Sequence, residues 1–435
     1  MLQRMNQTMA KLEKMSDQEL SPLIRILFGH SSPSPVPMDE KDLRDATGEI
    51  SWVNSSLNDS QKTAIRFALA SREVALIHGP PGTGKSHSVT ELILQMLKRK
   101  LRILVCGPSN ISVDNLVERL SPHKVPMVRV GHPARLLPSV LNHSLDVLSR
   151  TSEAAVIVQD IRKEMDAKLA SVKKTRSGRE RRAIYDDLKQ LRQDFRQRER
   201  RCVDELLRSS NVVLATLHGA GGYDLKNEQF DVVIVDEASQ ALEAQCWVPL
   251  ISAKKVVLAG DHLQLPPTIK SSQHKASSSS KVDKTVDKAG SSIKLEVTLF
   301  DRLLSLHGPS IKRMLTTQYR MHEKIMEFPS QEMYESKLIA ADSVKTRLLK
   351  DLEYGVEETD DTIEPVVFWD TQGEFPEKAE SAVDGKEVKK STLADSKSNE
   401  MEAMLVRLHV SKLVEAGLKP EDIAVITPYN AQVCS

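Results

Sequence analysis

Aromatic residues make up only 4% of the 435-residue chain, which leaves little material for surfaces that recognise ligands by ring stacking. Cysteine is also scarce: Cys106, Cys202, Cys246 and Cys434 stand apart, without a CxxC pair or metal-ligand spacing. That pattern excludes a disulfide framework and a zinc site of the finger type, and it suits a reduced compartment, nucleus or cytoplasm. No apolar run exceeds strand length, far short of the roughly 20 residues that cross a bilayer, so no membrane span is expected. The opening MLQRMNQTMAKLEKM lacks the continuous apolar core and small-residue cleavage site of a secretory signal. Neither sign of charge dominates, with 61 Lys and Arg against 60 Asp and Glu. A polyanionic partner would have to be met by locally clustered cations, not by the chain as a whole.

What is present is apolar material, 40% of residues, enough for two or three globular cores. Leu2, Met5, Met9 and Leu12 recur at helical spacing, and Ser16 followed by Asp17 and Glu19 reads as a further helix start. The Pro/Ser-rich SSPSPVP then reads as a linker. From Glu73 to Ala259, short β-branched runs alternate with helical patterns: EVALI, RILVC, PMVRV, NVVLA, DVVIV and KVVLA. Continuous apolar strands separated by helices imply an α/β fold whose parallel sheet is covered on both faces. A second series, IKRML, PVVFW and DIAVI, implies a second α/β domain. The organisation expected is a helical stalk and linker over 1–50, a first domain over 51–297, and a second over 298–435. A helical hairpin is expected at 155–208, where Ile161, Met165, Leu169 and Val172 form a stripe repeated by Ile184, Leu188, Leu191 and Phe195. Between Asp160 and Glu205 stand 15 Lys and Arg against 10 Asp and Glu, which fits either a solvated helical face or an arm that contacts phosphates. The polar stretches 268–294 and 378–398 have the composition of disordered segments.

The chemistry begins at GPPGTGKS, Gly79, Pro80, Pro81, Gly82, Thr83, Gly84, Lys85 and Ser86, directly after the strand EVALI and at the head of an apolar-striped helix. Glycines there let backbone N–H groups wrap the phosphates of ATP, Lys85 reaches the β and γ phosphates, and the Ser86 hydroxyl is placed to hold Mg²⁺. Such a loop needs a carboxylate at a neighbouring strand end, and VVIVDEAS supplies two: Asp236 as the second Mg²⁺ partner and Glu237 to orient and deprotonate the attacking water.

These two motifs are followed by AGDHLQLPP (Ala259 to Pro267) and QYRMH (Gln318 to His322), in the order found in superfamily 1 helicases. The chain resembles the group that contains the nonsense-mediated-decay RNA helicase. Through LNDSQ, PSNISVDNL, QYRMH and TPYNAQ it resembles the branch of immunoglobulin mu-binding protein 2 and DNA polymerase alpha-associated helicase A. The resemblance implies two RecA-like P-loop NTPase domains, with the hairpin inserted in the first. It implies that Gln61 reads the adenine edge, that Gln264 senses the γ-phosphate or its water, that Tyr319 stacks on adenine and that Arg320 reaches the γ-phosphate. An ordinary salt bridge is the plainer reading of Arg320.

By the same resemblance three segments track the strand: Pro108, Ser109, Asn110 and Val113 in PSNISVDNL, Arg129 in RVGHPAR, and Thr216 and His218 in ATLHGAGG. The last is also readable as a plain glycine turn. Loops of this kind hold phosphate and sugar without reading bases, so a sequence-independent partner is expected: single-stranded or tailed duplex nucleic acid, DNA favoured and RNA possible, bound by a monomer moving 5′ to 3′. Relatives of this type carry a β-barrel before the P-loop domain and further motifs after TPYNAQ. The second domain is accordingly expected to be incomplete, which leaves open an ATP-responsive nucleic-acid-binding fragment without unwinding activity.

Overall fold

The computed structural model describes residues 2–37, 39–174, 177–268, 295–373, 375–379 and 396–433. Most of the two polar stretches, together with Cys434, lies outside the described residues. The chain divides into two compact units that meet between Thr316 and Thr317.

In the first unit, α1 (Leu2–Lys14), α2 (Pro22–Phe28) and α3 (Glu40–Thr47) precede the sheet. The second helix starts at Ser21, whose hydroxyl accepts from the Ile24 N–H and which is followed by Pro22, and not at Ser16. Helix α4 (Asp59–Ala70) leads into an alternating series of strands and helices. The strands are β1 (Val74–His78), β2 (Ile103–Gly107), β3 (Met127–Val130), β4 (Val212–Thr216), β5 (Val232–Val235), β6 (Lys255–Gly260) and β7 (Lys312–Met314). Between them run α5 (Lys85–Lys98), α6 (Asn110–Leu120), α7 (Leu145–Thr151), α8 (Glu153–Lys174), α9 (Gly178–Ser209), α10 (Leu217–Ala220), α11 (Glu243–Leu250) and α12 (Leu299–His307).

The strands form one parallel sheet in the order β3-β4-β2-β5-β6-β1-β7. Alternation along each strand divides its side chains between two cores. Leu76 and Leu258 join Leu27, Trp247 and Phe300 on one face, while Ile77 and Val257 join Ile65, Leu92 and Leu116 on the other. Both faces are thus covered by helices, as the continuous apolar strands require.

Three expectations change. The run IKRML does not open a second sheet; it supplies β7, whose Leu76↔Lys312 and His78↔Met314 pairs add it to the first. Residues 298–316 accordingly belong to the first unit, and the boundary lies at 316/317 rather than 297/298. PVVFW and DIAVI form no ladder among the described residues: Phe368 is 87% exposed and Ile426 91%. An apolar run is only a capacity for pairing, and a parallel strand exists through its neighbours. The hairpin forms as α8 and α9, but its stripe is only partly covered, with Ile161 and Leu188 buried and Leu169 exposed.

The second unit contains a short parallel pair, β8 (Thr317–Gln318) with β9 (Ile339–Ala340), and the helices α13 (Glu323–Met333), α14 (Asp342–Lys345), α15 (Asp360–Ile363) and α16 (Glu400–Glu415). Its small core gathers Val356, Leu413 and Leu418. Among the described residues no helix is long and apolar enough to cross a membrane.

Candidate nucleotide site and strand-facing loops

The sheet register brings three strand ends together. His78 lies opposite Gly260, and Val235 opposite Leu258, so the residues following β1, β5 and β6 emerge side by side at the carboxyl edge, where open α/β sheets bind ligands. The loop after β1 turns on Gly82 and Gly84, both at φ 75°. Thr83 tightens it, with its N–H and hydroxyl both donating to the Pro80 carbonyl at 3.2 and 2.7 Å. A Cβ at Gly79 would press on the Lys85 stem at 2.8 Å, and one at Gly84 would strike the Gln61 amide. The glycines are therefore required by close approach as well as by φ. Lys85 and Ser86 occupy the first turn of α5, whose N–H groups and dipole favour an anion.

Lys85 reaches back across the edge. Its Nζ lies 2.6 Å from Glu237 Oε1 and 4.0 Å from Asp236 Oδ1. Asp236 is buried, and burial together with the Glu237 charge raises its carboxyl to about 6 against the pull of Lys85. Its Oδ1 accepts from the Glu237 N–H at 3.0 Å. Glu237 itself sits at φ 53°, ψ 40°, a left-handed turn uncommon for a residue with a side chain, which turns the chain sharply at the end of β5. The buried Asp236 carboxylate at the sheet edge and the Ser86 hydroxyl in the first turn of α5 are hard-oxygen donors of the kind that suits Mg²⁺.

Gln264 follows β6. Its Nε2 donates to Asp261 Oδ2 at 2.6 Å, while Asp261 N donates to Ser239 Oγ at 3.0 Å and so ties the β6 end to the acidic turn. Gln61 is engaged at both ends of its amide: Oε1 accepts from Asn58 N at 3.0 Å and Nε2 donates to the Thr83 carbonyl at 3.1 Å. Its Oε1 completes a capping box with Asn58 at the head of α4, a pairing that the spacing of Asn58 and Gln61 allows, and its Nε2 braces the phosphate loop at Thr83. Tyr319 and Arg320 lie in the second unit, both exposed. They are presented by buried Gln318, whose Oε1 accepts from Arg320 N at 2.8 Å and Met321 N at 2.7 Å while its Nε2 donates to the Met321 carbonyl.

Of the expected strand contacts, Ser109 is exposed and Pro108 and Asn110 half-buried at the head of α6. Thr216 caps α10 by accepting from Gly219 N at 3.0 Å, and the His218 carbonyl accepts from Arg4 at 2.7 Å. Val113 and Arg129 do not face solvent at all. Val113 is in the core, and Arg129 is fully buried, donating to Asp114 at 2.7 Å, to the Val130 carbonyl at 2.6 Å and to Asn110 at 3.0 Å. The guanidinium fork is spent on tying α6 to β3, so Arg129 holds a loop in place and is not a surface cation. Asp114, Asp261, Ser239 and Gln318 are the organising residues that motif reading overlooked. All lie in or beside quoted motifs, and only their burial distinguishes them.

Two family models, each described as an AAA domain, match residues 56–272 and 295–435. The DNA polymerase alpha-associated DNA helicase A of Schizosaccharomyces pombe is 46% identical over 431 residues, covering 99% of this chain and 60% of that protein. The DNA-binding protein SMUBP-2 of Rattus norvegicus is 43% identical, covering 99% of this chain and 40% of that protein. The ATP-dependent helicase upf1 of S. pombe is 31% identical, covering 86% of this chain and 36% of that protein. The chain thus spans three fifths or less of the length of these relatives.

Proposed function

The chain belongs to the superfamily 1 helicases, and from that membership we propose that it couples ATP hydrolysis to movement along a nucleic-acid strand. The observation that carries the proposal is the convergence of Lys85, Asp236 and Glu237 at the carboxyl edge of the sheet, beside a phosphate loop that a single added methyl at Gly79 or Gly84 would obstruct.

In this reading the backbone from Gly79 to Ser86 and the start of α5 hold the phosphates, and Lys85 neutralises the oxygens of the terminal one. Ser86 and Asp236 would hold Mg²⁺, which when bound supplies charge to the β- and γ-oxygens. Glu237 orients the attacking water and takes its proton, a task for which a half-exposed carboxylate at a strained strand end is suitably presented. Gln264 reports the state of the terminal phosphate. Because Asp261 N bonds Ser239 in the turn that bears Glu237, the sensor and the base share one support.

The strand is gripped along its backbone by the exposed head of α6 and the Thr216 to Gly222 loop, without base readout. DNA is favoured, since the two relatives of higher identity carry DNA in their names, and 5′ to 3′ movement follows the family resemblance. Three buried cysteines, unpaired among the described residues, support a reduced compartment such as nucleus or cytoplasm.

The test is displacement of streptavidin from end-biotinylated single strands of DNA and of RNA by the chain with ATP. Faster clearance from the 3′ end of DNA than from its 5′ end supports the proposal. Equal, ATP-independent clearance at both ends contradicts it.

A further inference from the structure

His78 is the last residue of β1, immediately before Gly79, and its side chain is buried. Its Nε2 lies 2.9 Å from Asp261 Oδ1. An ionised carboxylate only accepts, so Nε2 carries the proton in this pair. Asp261 is also buried, and the same Oδ1 accepts from Leu263 N at 3.2 Å while Oδ2 accepts from Gln264 Nε2 at 2.6 Å. One carboxylate therefore links the strand that enters the phosphate loop to the loop that bears Gln264. The His78 ring is itself fixed, edge-on to His262 at 4.6 Å, and His262 stacks on Phe300 of α12 at 5.4 Å. A packed ring at the end of an inner strand is a better anchor for an exposed amide than either loop alone.

We propose that His78 and Asp261 form a positioning pair that holds the Gln264 amide in its working orientation, with His78 acting through Asp261 and never on the nucleotide. The inference deepens the sensor role given to Gln264 and rests on it. The chemistry favours this over simple packing: an apolar side chain would fill the volume, but it would leave Asp261 Oδ1 held by the longer bond from Leu263 N and without the closer one from His78, loosening the carboxylate that orients Gln264. Misplacement of a catalytic group by about 1 Å costs on the order of 100-fold in rate, so a change felt as orientation appears in kcat.

The experiment uses the whole chain and a single-stranded-DNA-stimulated ATPase assay, with ATP affinity measured separately by a fluorescent nucleotide. His78→Phe keeps the ring contact with His262 and removes the donor; it is expected to lower kcat by about 10-fold or more with nucleotide affinity within about twofold. His78→Gln, which keeps an N–H, is expected to recover most of that loss. In the double variant with Gln264→Ala the rate falls no further than in Gln264→Ala alone, because with the amide gone the pair has nothing left to position. Multiplying losses, or loss of nucleotide affinity in His78→Phe, would overturn the pair and leave the sensor role standing. Should His78→Phe not fold, a His78→Gln variant as slow as Gln264→Ala overturns it instead. A Gln264→Ala chain at the full rate sinks the sensor role itself, and the inference with it.

Discussion

Lys85 Nζ stands 2.6 Å from Glu237 Oε1, so the cation of the phosphate loop and the carboxylate assigned to the attacking water meet directly across the sheet edge. Their roles nevertheless separate. Lys85→Ala is expected to weaken ATP binding greatly and abolish hydrolysis, because in the proposed mechanism Lys85 would contact phosphate already in the ground state. Glu237→Gln is expected to bind ATP within a fewfold of the parent and stop turnover, because its charge acts on water. Binding titrations beside single-turnover hydrolysis measure both, and equal loss of affinity in the two variants contradicts the assignment.

Asp236 gives the site a pH dependence with a definite sign. Its carboxyl titrates near 6 rather than at 3.8, chiefly through burial, so the ionised form that would hold Mg²⁺ grows as pH rises through about 6. The Mg²⁺-dependent kcat/KM, which reports the free enzyme, should fall about tenfold per pH unit below that value and level off above it. By linkage the raised carboxyl makes the fold less stable as pH rises from about 4 to 6, because the unfolded chain releases that proton first. A Tm that increases steadily over that interval in the parent, relative to Asp236→Asn, would contradict the burial argument.

Arg129 is held inside the fold, and its removal should be felt in stability before it is felt in strand binding. Taking away one partner of a buried ion pair leaves the other charge uncompensated, so Arg129→Ala should lower unfolding free energy by about 3–5 kcal/mol in a urea titration. A surface phosphate contact would behave otherwise, costing little stability and flattening the salt dependence of strand binding.

The hairpin offers the opposite case. Arg179, Arg182, Lys189 and Arg192 on α9 are exposed. Replacing all four by Gln should leave the fold intact and reduce the slope of log affinity against log salt by about 0.7 for each single-strand phosphate that these cations had neutralised. An unchanged slope returns α8 and α9 to a solvated helical face.

Much of this was legible from residue order. The six apolar runs from EVALI to KVVLA became six strands because a parallel strand covered on both faces writes itself as a continuous apolar run, and GPPGTGKS and VVIVDEAS lie where such a sheet exposes its carboxyl edge. What could not be read was allegiance and orientation. IKRML carries a strand pattern without saying which sheet it joins, and it pairs with β1. Arg129 reads as a cation at a loop, yet its fork turns inward to Asp114 and Asn110, a choice made by packing among residues 15 and 19 positions away. Gln61 likewise shows only an amide in the sequence, while its bond to the Thr83 carbonyl, 22 positions away, is made by the fold. PVVFW shows the reverse failure, since propensity without a neighbouring ladder leaves an exposed run.

Hydrolysis at Lys85, Asp236 and Glu237 that is coupled to movement along a strand should be controlled by that strand, which the steady-state ATPase rate of the chain with Mg²⁺ reads with and without single-stranded oligothymidylate. The rate is expected to rise at least about tenfold with the strand and to be absent in Glu237→Gln at the same occupancy of nucleotide. A rate that is indifferent to the strand, or that survives in Glu237→Gln, would contradict that expectation.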